Sequence, residues 1–258
     1  MKLHSHGKVL NAKGENVFTH PNKTRQPMTP KRKDEGQEDP RDLPAYGVAE
    51  AAHYLQIPET ALRSWVLGRH YRTEEGEQFF KPLIDVADQE QHVLSFFNLV
   101  EAHVLNALRR KHKISLAKVR LALDYLQEHF PSQHPLADRE FEMDGANLFL
   151  QRYGALINLS ESGQLAMRNM LKEHLRRIGR DAAGRAAKLY LFTARPKAVV
   201  VDPRVSFGRP VIAGTGIPTK VIAQRFKGGD SIQLLAKDYG RSPEEIQEAI
   251  RCEQREAA

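Results

Sequence analysis

Two groups of charged side chains in this sequence have types and spacings that suit binding. The first lies in the run ETALRSWVLGRHYRT, which follows Pro58. As a helix, this run places Leu62 and Trp65 on a buried side and its hydrophilic residues on the other. Arginine and hydroxyl side chains displayed in this way contact DNA phosphates and base edges, although solvent exposure alone also explains them. The predicted DNA-binding residues are Thr60, Arg63, Ser64, Arg69, Arg72 and Lys81.

The second group lies near the C-terminus. Two arginines occupy a loop rich in glycine and proline, and several glutamates fall on a helix that starts at Pro243. Guanidinium groups form charge-assisted hydrogen bonds with carboxylates, whereas glutamates repel DNA phosphates. We therefore predict that this surface binds protein; the alternative of equal weight is that the arginines brace the loop by binding backbone carbonyls. The predicted protein-binding residues are Arg204, Arg209, Glu244, Glu245 and Glu248.

Residues for catalysis or metal binding do not form a recognisable pattern. The sequence has no nucleophile elbow, no H-E-x-x-H pair and no phosphate-binding P-loop. Its one cysteine, Cys252, excludes an intrachain disulfide and a cysteine zinc cluster. Gly214-Thr215-Gly216 is interpreted as a tight turn in preference to an anion-binding nest. We predict no enzyme activity, no cofactor and no metal.

The charge balance indicates a polyanionic partner. The formal net charge of the 258-residue chain is +7. Together with the helix-turn-helix pattern, this favours nucleic acid over a membrane surface. No apolar run approaches the ~20 residues that span a bilayer, and no hydrophobic stretch follows Lys2 as it would in a signal peptide. The expected location is the cytoplasm.

A tail and an N-terminal module come first in the chain. Residues 1–43 are predicted to be disordered, because they have too few apolar side chains to offset the entropy of ordering. Residues 44–130 are predicted to form a winged helix-turn-helix, whose first helix is broken at Ile57-Pro58. The buried stripe of that first helix is Val48, Ala51, Ala52 and Leu55. The elements after the second helix are a wing strand over 78–86 and helices over 95–112 and 115–130.

Residues 131–201 are predicted to form an α+β linker and dimerisation region. A small antiparallel β-unit is expected over 141–160, followed by a helix that Ser160 or Ser162 caps and that runs to about Ile178. Two further strands are expected over 188–192 and 198–201. Short edge strands with exposed apolar positions favour pairing between molecules, so we place a homodimer contact in this region.

Residues 202–258 are predicted to form a three-helix bundle that resembles a helix-turn-helix. Pro218 suits the first turn of a helix, and Gly228-Gly229 supply the positive φ that ends it. Asp230 or Ser231 caps the second helix, which ends at Gly240. Ser242-Pro243-Glu244-Glu245 is a capping box that starts the third helix.

The N-terminal module resembles the winged helix-turn-helix of MerR-type regulators over residues 46–130. The turn Leu62-Arg63-Ser64-Trp65, the wing and a following pair of helices occur in the order of that family. The long coiled-coil dimerisation helix and the effector domain of that family are absent, which argues against a metal-sensing or drug-sensing regulator. The resemblance implies that Arg63 contacts DNA and that the wing straddles the backbone.

The C-terminal module resembles the domain of unknown function family 433, which includes VapB-type antitoxins of bacterial toxin–antitoxin pairs. One departure is Gly216, where many members of that family have an arginine. The resemblance implies a PIN-like toxin nuclease with an acidic metal site as the partner. The matching blocks are Asp202-Pro203-Arg204, Gly208-Arg209-Pro210-Val211-Ile212, Gly214-Thr215, Ile217-Pro218 and Asp238-Tyr239-Gly240.

These observations predict a mainly α fold with small β elements and a binding protein in place of an enzyme. The predicted function is that of a type II antitoxin, which neutralises a PIN-like toxin and represses its own operon as a homodimer on double-stranded operator DNA. The alternative is a stand-alone MerR-like transcriptional regulator whose C-terminal unit serves dimerisation.

Overall fold

The computed structural model describes residues 39–254, except for residue 75 and segments 110–115, 139–140, 158–159 and 193–196. The side chains of Thr73, Met143 and Glu161 are also outside the description. Within the described residues, nine α-helices and six short β-strands form, so the predicted mainly α fold with small β elements is confirmed. The part of the predicted tail over 1–38 lies outside the described residues.

The N-terminal half consists of two short helices, a β-ribbon and two longer helices. The ribbon strands are antiparallel, with Arg69 opposite Phe80. The observed second strand of the ribbon begins before residue 78 and ends before residue 86, so the predicted range of 78–86 is corrected at both ends. The reason is that this strand pairs with the strand that directly precedes it. The elements are α1 (Val48–Leu55), α2 (Glu59–Val66), β1 (Arg69–Thr73), β2 (Gly76–Phe80), α3 (Phe96–Arg109) and α4 (Leu116–His129).

Helices α1 and α2 form where the apolar spacing predicts them. All four residues of the predicted α1 stripe are buried, and so are Leu62 and Trp65 of α2. Helix α1 ends at Gln56, whose φ of 55° is left-handed and whose N–H donates to the carbonyl of Ala52. Pro58 occupies the N-cap position of α2, where its missing N–H leaves no bond unmade.

Residues 141–157 are helical, so the antiparallel β-unit predicted over 141–160 is wrong. A π-helical turn, Phe141–Gly145, leads into α5, Ala146–Ile157. The buried residues Ala146, Phe149, Leu150 and Tyr153 are spaced by three and four, which is the period of one helix face. The short apolar runs were ambiguous between strand and helix, and packing of α5 against α4 decides for the helix.

The next helix, α6 (Glu161–Leu175), starts where predicted, because the Ser160 hydroxyl accepts a hydrogen bond from the Gly163 N–H at 3.3 Å. Ile178 is not its last residue but begins a strand. An antiparallel sheet follows in the order β3-β4-β5-β6. Its strands are β3 (Ile178–Arg180), β4 (Ala186–Tyr190), β5 (Val199–Val201) and β6 (Val211–Ile212).

The two strands predicted at 188–192 and 198–201 are the inner strands β4 and β5, not edge strands. Leu189 pairs with Val201 on one side of β5, and Val199 pairs with Ile212 on the other. Both hydrogen-bonding edges of β5 are therefore occupied within the chain. This removes the physical reason for placing a homodimer contact on these strands.

The C-terminal helices are α7 (Thr219–Lys227), α8 (Ile232–Tyr239) and α9 (Pro243–Gln254). Ser231 caps α8 by accepting from the Leu234 N–H, and Gly240 ends α8 with a φ of 60°. At α9 the capping box forms in both directions, since Ser242 and Glu245 each bond the other's backbone N–H. The predictions for the cap at Ser231, the end of α8 at Gly240 and the capping box at Ser242 are therefore confirmed.

Two hydrophobic clusters hold the described residues together. The larger runs through the N-terminal half and the central sheet and includes Cys252 of α9; the smaller joins α7, α8 and α9 to Ile212. Ordered contacts begin before residue 44, because the Arg41 side chain is buried and bonds Asp39 and Asp181, each at 2.7 Å. Residues 39–43 therefore belong to the fold and not to the predicted tail.

Candidate nucleic-acid interface

A cleft of about 750 Å³ lies between α2, the ribbon and the adjoining ends of α3 and α4. It brings together four of the six predicted DNA-binding residues. Thr60, Arg63 and Ser64 come from α2, and Arg69 comes from the start of β1. The cleft also takes in Arg109, the last residue of α3, which was not among the predicted DNA-binding residues and whose charge also suits the C-terminal end of the helix dipole.

The base of the cleft is a tight turn over a buried indole. Trp65 is 1% exposed, and the guanidinium carbon of Arg109 lies 5.3 Å from the centre of its ring. Gly68 joins α2 to β1 with a φ of +74°, and a Cβ there would collide with the carbonyl oxygen of Phe80. Only glycine fits this position, so the turn holds Arg69 at a fixed distance from α2.

Two cations of the cleft lining, Arg69 and Arg109, have no carboxylate partner among the described residues. Burial, and then the charge of Arg69, lower the pKa of Arg109. Among the described residues, neither Arg69 nor Arg109 has an acidic side chain within ion-pair distance. Arg63 has a loose partner on its own helix, since its Nη1 lies 3.5 Å from Glu59 Oε1 and both side chains are about half exposed. The arrangement leaves positive charge available to an anion.

Arg72 and Lys81 are exposed but lie outside the cleft lining. Arg72 is in the middle of the ribbon, opposite Glu77. The ribbon is anchored at its exit by Arg120 of α4, which donates to the Lys81 carbonyl at 2.7 Å and stacks 5.3 Å from the Phe80 ring. Arg72 on the ribbon and Lys81, which directly follows β2, therefore lie outside the cleft lining, and the end of the ribbon next to Lys81 is held by Arg120.

The predicted protein-binding arginines are both paired within the chain. Arg204 Nε lies 3.3 Å from Asp202 Oδ1, and 61% of the Arg204 side chain stays exposed. Arg209 pairs with Glu50 of α1, which joins the C-terminal loop to the N-terminal half. The alternative expectation of bracing by backbone carbonyls does not describe either side chain, since both partners are carboxylates.

The three predicted glutamates have local roles in α9. The pKa of Glu244 is lowered by its own backbone N–H and then by Ser242, as expected at the start of a helix. Glu245 belongs to the capping box and also pairs with Arg241. Glu248 lies 2.5 Å from Arg251. Of the three, only Glu244 is an exposed residue without a cationic partner among the described residues.

The Gly214-Thr215-Gly216 segment is a tight turn. Thr215 donates through its N–H and its hydroxyl to the Ile212 carbonyl, at 3.0 and 2.8 Å. Cys252 is buried, and burial raises the pKa of its thiol to about 12. The described residues contain no cluster of three His, Cys, Asp or Glu side chains that could hold a metal ion. None of the described helices is both long and apolar enough to cross a bilayer.

Comparison with protein families assigns the two ends of the chain separately. Residues 44–123 match the family described as "Putative DNA-binding HTH domain", and residues 199–251 match the family described as "Protein of unknown function (DUF433)". The predicted resemblance of the C-terminus to family 433 and the DNA-binding helix-turn-helix at the N-terminus are thus confirmed. The MerR type and the VapB type stay predictions.

Two proteins of Mycobacterium tuberculosis (strain ATCC 25618 / H37Rv) are similar to most of the chain. One, named "Putative antitoxin VapB45", is 29% identical over 227 residues, which is 81% of this chain and 93% of that protein. The other, the uncharacterized protein Rv2308, is 26% identical over 220 residues, or 81% of this chain and 90% of that protein.

A crystal structure of Rv2018 from Mycobacterium tuberculosis has the same overall fold. It superimposes with a TM-score of 0.60 at 24% sequence identity, over 81% of this chain and 97% of that one. At this identity the likeness concerns the fold alone.

Proposed function

We propose that this protein is the antitoxin of a bacterial type II toxin–antitoxin pair that also binds its own operator DNA in the cytoplasm and represses its operon. The observation that carries the DNA-binding part is the pair of arginines, Arg69 and Arg109, in the cleft beside α2. The similarity to a protein named as an antitoxin supports the toxin-binding part. The proposed role is binding, with no catalytic step.

The cleft arginines suit a phosphate for an electrostatic reason. Burial and the nearby charge of Arg69 disfavour the charged form of Arg109 in the free protein. A DNA phosphate placed between the two guanidiniums relieves this repulsion and accepts charge-assisted hydrogen bonds from both. Thr60, Arg63 and Ser64 on α2 then face the groove beside that phosphate, and Arg72 and Lys81 extend the contact along the ribbon.

The test is binding to the DNA upstream of the gene across a salt series. Arg69→Ala with Arg109→Ala removes two charges from the cleft, whereas Arg204→Ala with Arg225→Ala removes two charges from carboxylate pairs elsewhere. The first double variant should bind about a hundredfold more weakly and lower the salt slope by about two, because each phosphate contact contributes about one. Equal losses in both double variants would overturn the assignment of the cleft.

The C-terminal module is proposed to bind the toxin, a PIN-like nuclease with an acidic metal site. Arg204 is the more exposed of the two loop arginines, and it can exchange its partner Asp202 for a carboxylate of the toxin. Glu244 offers an exposed carboxylate at the start of α9. Arg209, Glu245 and Glu248 complete the proposed surface, and their internal partners hold them in place.

Co-expression with the neighbouring open reading frame tests this part. The wild-type protein should restore growth when that neighbour is toxic and should co-purify with it. Arg204→Ala with Glu244→Ala should weaken the complex while Arg69→Ala with Arg109→Ala leaves it intact. The antitoxin proposal fails if growth is not restored by the wild-type protein.

A second candidate function is that of a stand-alone MerR-like transcriptional regulator. The observation that favours it is the attachment of the C-terminal module to the rest of the chain, through the β5–β6 pairing and the ion pair between Arg209 and Glu50. A regulator of this kind should bind DNA as in the test above and should have no effect on the growth of cells that express the neighbouring gene.

A further inference from the structure

One aromatic side chain of the C-terminal module is fully displayed to solvent. Phe207 is 93% exposed, the highest exposure among the large hydrophobic residues of the described chain. Burying such a ring stabilises a protein by roughly 1.5–3 kcal/mol. A ring that stays in solvent does not make this contribution. Aromatic rings held outside a fold are typical anchors of protein–protein interfaces.

The backbone around Phe207 is strained and firmly supported. Ser206, Phe207 and Gly208 have φ values of 49°, 54° and 74°, so two non-glycine residues adopt the left-handed region. The buried Tyr46 hydroxyl donates to the Gly208 carbonyl at 3.1 Å, and the Ser206 hydroxyl donates to the Gly216 carbonyl at 3.2 Å. Relaxing the strain would break these bonds, so the fold holds the ring outward.

A groove of about 580 Å³ lies beside the ring, between α1 and α7. Tyr54 and Gln224 contribute to its walls, together with Val221, whose side chain is 40% exposed. Phe207 itself forms part of the rim. An apolar projection and a recess that can receive it are therefore adjacent on one face of the molecule.

The charges of this groove balance each other. Two acidic residues, Glu50 and Glu253, and two basic residues, Arg209 and Lys220, line it. A surface that meets its own copy about a two-fold axis must not carry excess charge of one sign, because like charges would then face each other. DNA would instead be matched by an excess of positive charge.

We propose that Phe207 and this groove form a two-fold interface with a second copy of the chain, in which the Phe207 ring of each copy packs into the groove of the other. This places self-association in the loop before β6 and on α7, away from the inner strands β4 and β5. The inference does not depend on the toxin or on DNA, and it is tested on the protein alone.

The test separates the ring from the rest of its loop. Phe207→Gly removes the ring and relaxes a left-handed residue, whereas Phe207→Tyr keeps an aromatic ring on the same backbone. Sedimentation equilibrium of the full chain should show a dimer for the wild type and for Phe207→Tyr. For Phe207→Gly the dimer dissociation constant should rise about a hundredfold or more, since each dimer loses two anchors, while the thermal midpoint is not lowered.

Two further variants test whether dimerisation depends on this particular surface and not on exposed apolar side chains in general. Leu165→Ser removes an exposed side chain of α6, 54% accessible, and should leave the dimer intact. Val221→Glu places a charge in the groove and should dissociate it. A mixture of Phe207→Gly and Val221→Glu chains should associate more strongly than either alone, because one intact projection then meets one intact groove.

Three results would overturn the proposal. They are a monomeric wild-type chain at its highest soluble concentration, a dimer that survives Phe207→Gly, and a dimer that is lost in Leu165→Ser. A mixture of the two groove variants that associates no better than its components would contradict the reciprocal contact. If Phe207→Gly weakened toxin capture and left the dimer unchanged, the occupant would be the toxin and the proposed self-contact would be wrong.

Discussion

The arginines of the C-terminal module differ from those of the N-terminal cleft in what surrounds them. Each of the five arginines between residues 202 and 254 lies beside a carboxylate: Arg204, Arg209, Arg225, Arg241 and Arg251. In the cleft, Arg69 and Arg109 have no acidic partner among the described residues, and they lie close enough for the charge of one to lower the pKa of the other.

The difference shows that net charge alone does not locate an anion-binding surface. The chain carries a formal charge of +7, but an arginine that already bonds a carboxylate attracts a phosphate less than a free one does. Arg69 and Arg109, which have no acidic partner among the described residues, lie beside α2, whose outward side chains have the types that contact DNA. We therefore expect charge removal to have different consequences in the two regions.

The largest expected effect is on DNA binding by the cleft. Arg69→Ala with Arg109→Ala should cost about 3 kcal/mol of binding free energy, because two charge-assisted contacts are lost at about 1.5 kcal/mol each. The loss of binding free energy is measured by fluorescence anisotropy with operator DNA. A double variant that binds as well as the wild type would show that the unpaired arginines do not contact DNA.

The next effect tests whether the two regions fold as one body. Gly208→Ala introduces a Cβ that collides with the Tyr46 hydroxyl and forces alanine into a left-handed conformation. The free energy of unfolding should fall by about 2 kcal/mol. Gly214 has a similar φ of +77° but open space around it, so Gly214→Ala should cost only about half as much. Equal losses in denaturant unfolding would show that the Tyr46 contact between the regions contributes nothing.

A buried charge pair in the N-terminal half makes stability depend on pH. Burial raises the pKa of Glu101, and, although burial opposes it, the hydrogen bond that the His134 ring donates to Glu101 raises the pKa of His134. Their side chains meet at 3.1 Å, beside Asn98 and with Asp42 at 3.6 Å from the other His134 nitrogen.

A group whose pKa is raised by folding stabilises the fold at any pH below the pKa that it has in the unfolded chain. This contribution is lost as the pH rises through the pKa that the group has in the folded protein. The thermal midpoint should therefore fall as the pH rises from the ordinary histidine pKa of about 6.5 through the higher pKa of folded His134. Glu101→Gln should flatten this dependence. A wild-type midpoint that rises over the same interval would contradict the sign of the argument.

The smallest effect is expected for the exposed ion pair of the C-terminal loop. Arg204→Ala should change the free energy of unfolding by about 0.5 kcal/mol or less, since exposed pairs contribute little. DNA binding should not change. A loss of operator affinity in this variant would show that arginines of both regions contribute to DNA binding, which contradicts the proposed difference between them.

Local sequence signals predicted the ends of the helices and the buried face of most of them. The cap at Ser231, the stop at Gly240 and the capping box at Ser242 depend on hydrogen bonds that close within a few residues. The same kind of signal failed over residues 141–160, because short apolar runs fit either period until a neighbour is known. Helix α4 supplied that neighbour for α5.

The sequence by itself determined the mainly helical composition, the start of each C-terminal helix and the four cleft residues on α2 and β1, because these follow from periodicity and capping within a few turns. Only the tertiary structure decided which arginines find partners far away in the sequence. Arg209 finds Glu50 across 159 residues of chain, and Arg109 reaches the Trp65 ring from a different helix. Charge partners are chosen by distance in space, and no local pattern encodes a distance that the packing of the whole fold creates.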